Sequence, residues 1–156
     1  MKNILSYETV SLDDSRNALV ILDQTKLPGE IKVLSLTSQK DIWNAIYQLQ
    51  VRGAPAIGVA AAIGIYLAAK EIKDDVFEIF YEKFRAAKEY LASSRPTAVN
   101  LFWALNRMEK IVLDNAEKPV CEICSRIGQR VYTGRYKSRR MCGSSFCCSV
   151  CALFIT

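Results

Sequence analysis

Residues 51–69 read VRGAPAIGVAAAIGIYLAA. Gly53 to Ala69 is a seventeen-residue run without a charge, built mostly of Ala, Gly and Ile. Proline at 55 suits a first helical turn, where its missing N–H would have had no intrahelical partner. The run falls short of the ~20 predominantly apolar residues that a membrane span needs. Small residues also dominate where a span would carry Leu or Phe. The stretch therefore reads as a buried core helix from Pro55 to Ile72. Gly58 and Gly64 lower its intrinsic helix propensity, so close packing against neighbours has to compensate.

The flanks supply those neighbours. Upstream, Ser38 and Asp41 are spaced like a capping box. Ile42, Ile46 and Leu49 follow at helical spacing, with Trp43 and Tyr47 beside them, and this helix should end near Gln50. Downstream, Asp74 and Asp75 open a third helix with an apolar stripe of Val76, Ile79, Phe80, Phe84, Ala87, Tyr90 and Leu91. It should stop at the Ser-Ser-Arg-Pro of 93–96, because Pro96 disfavours helix at Arg95 and suits the next helix start. The fourth helix then covers 97–113, with Leu101, Leu105, Met108 and Val112 facing the core. A short fifth covers Ala116 to Ile127. Trp43, Phe102 and Trp103 read as core aromatics.

Before residue 38 the period shortens. NILSYE (3–8), ALVILD (18–23) and IKVLSL (31–36) read as strands, separated by LDDSRN and KLPGE, whose Asp, Asn, Pro and Gly are turn-formers. Asp23 can bond such a turn or orient an arginine, the turn being the simpler reading, and no carboxylate is assigned a catalytic role. The expected fold class is α+β, with short N-terminal antiparallel strands followed by a mainly helical domain. Residues 1–37 form strands packing on the helices of 38–129, and 130–156 form a separate tail.

Charge draws the same boundary. The net charge is +5. Residues 1–129 carry sixteen basic and sixteen acidic side chains, so the excess lies wholly in Arg130, Arg135, Lys137, Arg139 and Arg140. A neutral body with a basic tail argues against nucleic acid as partner of the body. All six cysteines lie at or after position 121, which fits a cytoplasmic body that does not rely on disulfides. The chain contains no histidine, so histidine-based catalysis and histidine-ligated metals are excluded.

Two segments share one device. Arg52-Gly53-Ala54-Pro55 leads into one helix, and Ser94-Arg95-Pro96-Thr97 leads into another. Helix N-termini present unpaired N–H groups and partial positive charge. Glycine lets backbone approach a ligand, and arginine supplies a planar fork of donors matched to phosphate. Either arginine alone is as easily a solvated or acid-paired surface group. Together they spell a phosphate or phosphosugar site, provided the two segments meet in space.

LDQTKLP (22–28), VRGAPAIG (51–58) and SSRPTAVNLFWAL (93–105), in that order and spacing, resemble the N-terminal half of the methylthioribose-1-phosphate isomerase family. That family shares a superfamily with the alpha, beta and delta subunits of translation initiation factor 2B. The resemblance spans 5–129. It implies an aldose–ketose isomerisation in methionine salvage, from 5-methylthioribose 1-phosphate to 5-methylthioribulose 1-phosphate. It implies substrate contacts at Arg52, Gly53, Ala54 and Arg95, with no metal, no organic cofactor and no membrane. It further implies a larger Rossmann-like domain that follows, supplies a catalytic cysteine in a Cys-Asn-Ala-Gly-like string and a catalytic aspartate, and forms a homodimer.

Neither of those motifs occurs here. The resemblance therefore implies a truncated enzyme that lacks the Rossmann-like domain, holds a phosphosugar at most and is inactive alone. After Gly128 the text loses helical period and gains one-sided charge and cysteines, as a shifted reading frame or incomplete gene model would. The expectation is that 130–156 is not natively folded. Two other functions stay open. One is a regulatory or assembly domain like the initiation factor subunits. The other is a zinc module using Cys121, Cys124, Cys148 and Cys151, although their twenty-three-residue gap exceeds the usual spacing.

Overall fold

The computed structural model describes residues 8–141, with side chains to 132. Three strands, β1 (Val10–Asp13), β2 (Ala18–Leu22) and β3 (Val33–Leu36), precede five helices. These are α1 (Gln39–Tyr47), α2 (Ala54–Glu71), α3 (Phe77–Ala92), α4 (Val99–Asp114) and α5 (Val120–Met141). The α+β reading holds. Among the described residues the one sheet is an antiparallel meander in the order β1-β2-β3.

The register explains the sheet. Val10, Ile21 and Leu34 form one cross-strand row, and Leu12, Leu19 and Leu36 form the next. Both rows lie on one face, because side chains alternate along a strand, and that face packs on the helical core. This corrects the start of the first turn. NILSYE lies almost wholly outside the described residues, and β1 takes the period-two string Val-Ser-Leu-Asp, which includes the start of the segment read as a turn. The turn is only Asp14–Asn17, with Asn17 left-handed at φ 48°. The Asp13 carboxylate accepts from Ser15 Oγ at 2.6 Å and from the Arg16 N–H at 3.3 Å.

α2 is the centre. Twelve of its eighteen residues are buried, on all sides. It touches every other helix as well as β1 and β2. Among the described residues it alone has the length and composition to cross a membrane, yet 67% of that window is buried inside this fold. An all-round apolar helix enclosed by others is what a core helix looks like.

The remaining helices keep their places with shifted ends. Ser38 caps α1, its Oγ accepting the Asp41 N–H at 3.1 Å. The short Asp41 side chain accepts the Ser38 hydroxyl at 2.7 Å. α1 ends at Tyr47, earlier than expected. In α3 neither Asp74 nor Asp75 caps. The N-cap is Val76, and Asp74 pairs with Lys83 instead. Val76, Ile79 and Tyr90 are exposed, so the true stripe is Phe80, Phe84 and Leu91, flanked by half-buried Phe77, Tyr81 and Ala87. Val76 is the N-cap rather than a helical position, and Ile79 and Tyr90 lie at the edge of the buried face rather than on it. In α4 all four predicted core residues are fully buried.

α5 departs most. It begins at Val120 and runs without a break past Gly128 to Met141, so the backbone does not change character at 129. No proline interrupts 120–141, and Arg and Lys are good helix formers. Helical propensity carries the chain where apolar period has faded. Residues 142–156, with Cys142, Cys147, Cys148 and Cys151, lie outside the described residues.

The hairpin is fastened to α2 by a polar cluster. Lys70 Nζ donates to Asp14 Oδ1 at 2.8 Å and also to Asn17 Oδ1, and the Tyr66 hydroxyl donates to the same Asp14 oxygen at 3.3 Å. Lys70 holds the Asp14 carboxyl below its ordinary range. Tyr66 is 7% exposed, and its ring lies against Gly128 of α5. Burial first, then the Asp14 charge, push its hydroxyl up to about 12.

The folded chain therefore keeps a proton that the unfolded chain loses as pH rises from about 10 to about 12. This stabilisation is complete below pH 10 and fades through that window. Denaturant titrations at about pH 9 and about pH 11.5 should show an alkaline loss on the order of 2 kcal/mol in the wild type beyond that in Tyr66→Phe. Equal losses in the two proteins would show that Tyr66 is not the group responsible.

Candidate functional site

The link from α1 to α2 is short and tightly held. After the Gln48 C-cap, Leu49 is left-handed at φ 59°. The Leu49 N–H reaches Ile46 O at 3.3 Å, and the Gln50 N–H reaches Ala45 O at 3.0 Å. This is a Schellman ending with leucine where glycine is usual. A bulky residue there is an outlier, and such strain tends to collect at functional sites.

Beyond it, Val51 is fully buried, and Gln50 O accepts the Gln24 N–H at 3.0 Å. Gln50 Nε2 donates to Asp23 Oδ2 at 3.4 Å. Asp23 is itself buried, and its other oxygen accepts from the N–H and hydroxyl of Thr25 at 3.0 and 2.6 Å. The turn role assigned to Asp23 is thus present. Its second oxygen also anchors the arginine loop to the sheet.

Arg52, Gly53 and Ala54 come next, all exposed. Arg52 Nε donates to Leu49 O at 3.3 Å, so the strained residue also receives the arginine. Gly53 is the N-cap at φ 89°, ψ 130°, a conformation suited to glycine alone. No side chain caps α2, and its first turn holds no acid. Pro55 has no N–H, which leaves those of Ala54 and Ala56 as first-turn donors.

The second segment is offset from the expected position. Arg95 to Ala98 form a turn, closed by the Ala98 N–H to Arg95 O at 3.0 Å, and α4 begins at Val99. Pro96 therefore sits second in a turn, which it also favours, and Arg95 lies one turn ahead of the helix. Like α2, α4 has no side-chain cap and no acid in its first turn. Among the described residues no acid pairs with Arg52 or Arg95.

The two starts meet through Gly58. A Cβ there would lie 3.2 Å from Asn100 O and 3.8 Å from Ala104 Cβ, so the first turn of α4 rests directly on the second turn of α2. The starts of α2 and α4 are therefore neighbours at this contact.

One feature lay hidden in the sequence. Trp43 is half-buried and sits between two tyrosines. Its ring stacks on Tyr47 at 4.8 Å between centroids and on Tyr90 at 6.1 Å. Trp43 Nε1 donates to Ser93 Oγ at 2.9 Å, and Ser93 Oγ donates to Tyr90 O at 2.7 Å. The spacing of Trp43 and Tyr47 put them on one helix face, but nothing local announced Tyr90. The core-aromatic reading needs correcting. Trp43 and Phe102 are half-buried, and Trp103 is 38% exposed with the Arg107 guanidinium 5.7 Å from its ring centre. Each sits at the edge of its helix's buried face.

The zinc reading receives no ligand cluster. Among the described residues no three metal-ligating side chains gather. Cys121 is exposed, and Cys124 points into α2, its thiol 3.6 Å from Ala69 O and pushed up by burial. Cys148 and Cys151 lie outside the described residues.

A sequence profile of the initiation factor 2 subunit family matches residues 50–135, and the chain belongs to that family. A methylthioribose-1-phosphate isomerase of Symbiobacterium thermophilum is 56% identical over 116 residues, 74% of this chain and 32% of the relative. A 5-deoxyribose 1-phosphate isomerase of Bacillus cereus is 50% identical over 111 residues, 71% of this chain and 32% of the relative. The chain thus spans about a third of the length of these curated relatives, matching their N-terminal part.

Among solved structures, the 5-methylthioribose 1-phosphate isomerase of Pyrococcus horikoshii OT3 superimposes with a TM-score of 0.75 at 38% identity, covering 84% of this chain and 40% of that one. The initiation factor eIF-2B delta subunit of A. fulgidus gives 0.66 at 33% identity, covering 85% and 41%. The family resemblance carried by the three strings is borne out.

Proposed function

We propose that these residues are the phosphosugar-holding part of an aldose–ketose isomerase acting on 5-methylthioribose 1-phosphate or a close C1-phosphorylated relative, in a cytoplasmic salvage reaction. One observation carries the reading. Two helix starts without caps or acids, each preceded by an arginine, are packed together at Gly58 and Asn100. The phosphate would lie against the Gly53–Ala54 backbone between Arg52 and Arg95. The names of the relatives support a sugar 1-phosphate as its bearer.

Holding and turnover are separate tasks. Moving hydrogen from C2 to C1 needs a group that takes and returns a proton. Arg52 and Arg95 offer only hydrogen-bond donors and no acceptor, so both are assigned to binding. The proton-moving groups are assigned to the two thirds of the relatives' length that this chain does not match, and the chain is proposed to bind without isomerising.

Amide chemical shifts of the chain, titrated with inorganic phosphate and then with 5-methylthioribose 1-phosphate, test this. Saturable shifts should centre on Arg52 to Ala56 and on Arg95 to Asn100. Their absence would sink the phosphate site and leave the initiation-factor-like scaffold, whose shape the chain shares, as the better reading.

A further inference from the structure

The Tyr47–Trp43–Tyr90 stack lies just ahead of both arginine segments along the chain. Tyr47 is the last residue of α1, five before Arg52, and Tyr90 is five before Arg95. The Trp43 to Ser93 hydrogen bond ties α1 to the C-cap of α3, and Arg52 Nε turns back to Leu49 O, two residues past Tyr47. Trp43 uses its faces on its neighbours. The outer tyrosines remain open, with Tyr47 60% and Tyr90 42% exposed. A three-ring aromatic surface in water is costly to leave bare, at about 25 cal/mol per Å².

We propose that the open face of Tyr47 is the subsite for the apolar C5 substituent of the sugar phosphate held by Arg52 and Arg95. The inference rests on the phosphosugar reading above. A sugar 1-phosphate is charged at one end only. Methylthio-sugars and 5-deoxy-sugars both lack a hydroxyl at C5, so that end offers carbon or sulfur and asks for no hydrogen bond. An aromatic face meets this demand, and thioether sulfur packs favourably against a ring. Tyr47 thereby sets specificity: it favours a C5 methylthio group over a C5 hydroxyl, which would lose water there and find no partner. The serine-anchored Trp43 fixes the ring, because a stacked ring loses little freedom when a ligand lands on it.

The test uses the 156-residue chain and three probes: inorganic phosphate, ribose 1-phosphate and 5-methylthioribose 1-phosphate. Binding is followed by the Trp43 indole resonance and the Gly53 amide. The wild type should prefer the methylthio sugar to ribose 1-phosphate. Tyr47→Ala should lose roughly 5- to 10-fold for the methylthio sugar alone, keeping its phosphate affinity, and Tyr47→Phe should keep the preference.

A preference that survives Tyr47→Ala, or equal losses for all three probes, overturns the subsite. So does a wild type that binds phosphate but does not discriminate between the sugars. A wild type that binds none of the probes removes the phosphosugar reading, and the subsite with it. Altered sedimentation of Tyr47→Ala with sugar preference intact makes the stack a protein-docking face and also overturns the proposal. Tyr47 is exposed, so a circular-dichroism melt should show the variant folded.

Discussion

Replacing Arg52 with alanine is expected to weaken the chain's binding of inorganic phosphate and of 5-methylthioribose 1-phosphate by on the order of 10- to 100-fold, with the melting temperature unchanged. Hydrogen bonds to a charged group contribute about 1.5–3 kcal/mol, and a guanidinium presents two such donors in one plane. Arg52 is exposed, and its Nε donates to the Leu49 carbonyl of the same loop, so little of the fold depends on it. Arg52→Lys should recover only part of the affinity, because an ammonium is a point charge without the fork. Calorimetric titration of wild type and both variants with each ligand measures this. Undiminished affinity in Arg52→Ala would remove the arginine from the site, whatever the family pattern says.

Gly58→Leu is expected to have the largest effect on the fold, and to affect the site through it. The obstacle at Gly58 is the backbone carbonyl of Asn100, 3.2 Å from where a Cβ would sit. A side chain can swing away, whereas a carbonyl in the first turn of α4 moves only with its helix. Overpacking of this kind costs about 1–3 kcal/mol, occasionally more. The better helix propensity of leucine returns somewhat under 1 kcal/mol. The net result should be a destabilisation of about 2 kcal/mol, read by denaturant titration, together with weaker phosphate binding as the Arg95 turn is pushed off. A variant as stable as wild type would mean that α4 tolerates the shift, and that Gly58 does not set the spacing of the two helix starts.

Much of this was written locally in the chain. The uncharged run of 53–69 read as a core helix and is one, and Leu101, Leu105, Met108 and Val112 sit where their period put them. The two arginines announced themselves through the Gly and Pro beside them. What was illegible depended on distant partners. The start of the first turn was misplaced because Leu12 and Asp13 are drawn into β1 by Leu19 and Ala18 across the sheet, not by their own neighbours.

The α3 stripe was read too wide. The buried face is centred on Phe80, Phe84 and Leu91, so Ile79 and Tyr90 fall at its edge and Val76 is only the N-cap. The length of α5 escaped because apolar period fades near Gly128 while backbone propensity does not. The left-handed Leu49 carries no local signal, since nothing in Tyr-Gln-Leu-Gln-Val distinguishes it from a helical leucine. The aromatic stack depended on a partner, Tyr90, more than forty residues away.

The position of α2 has a consequence for how the molecule breathes. Four helices and two strands rest on it, so no one of them can leave without uncovering its centre. Opening there and unfolding the whole domain then differ little in free energy, which is the signature of a single cooperative unit. Gly53 and Ala54 form the first link of that same helix. Whatever settles on its bare N–H groups is held by the least yielding piece of the protein. Its binding energy passes undivided into the persistence of the whole fold.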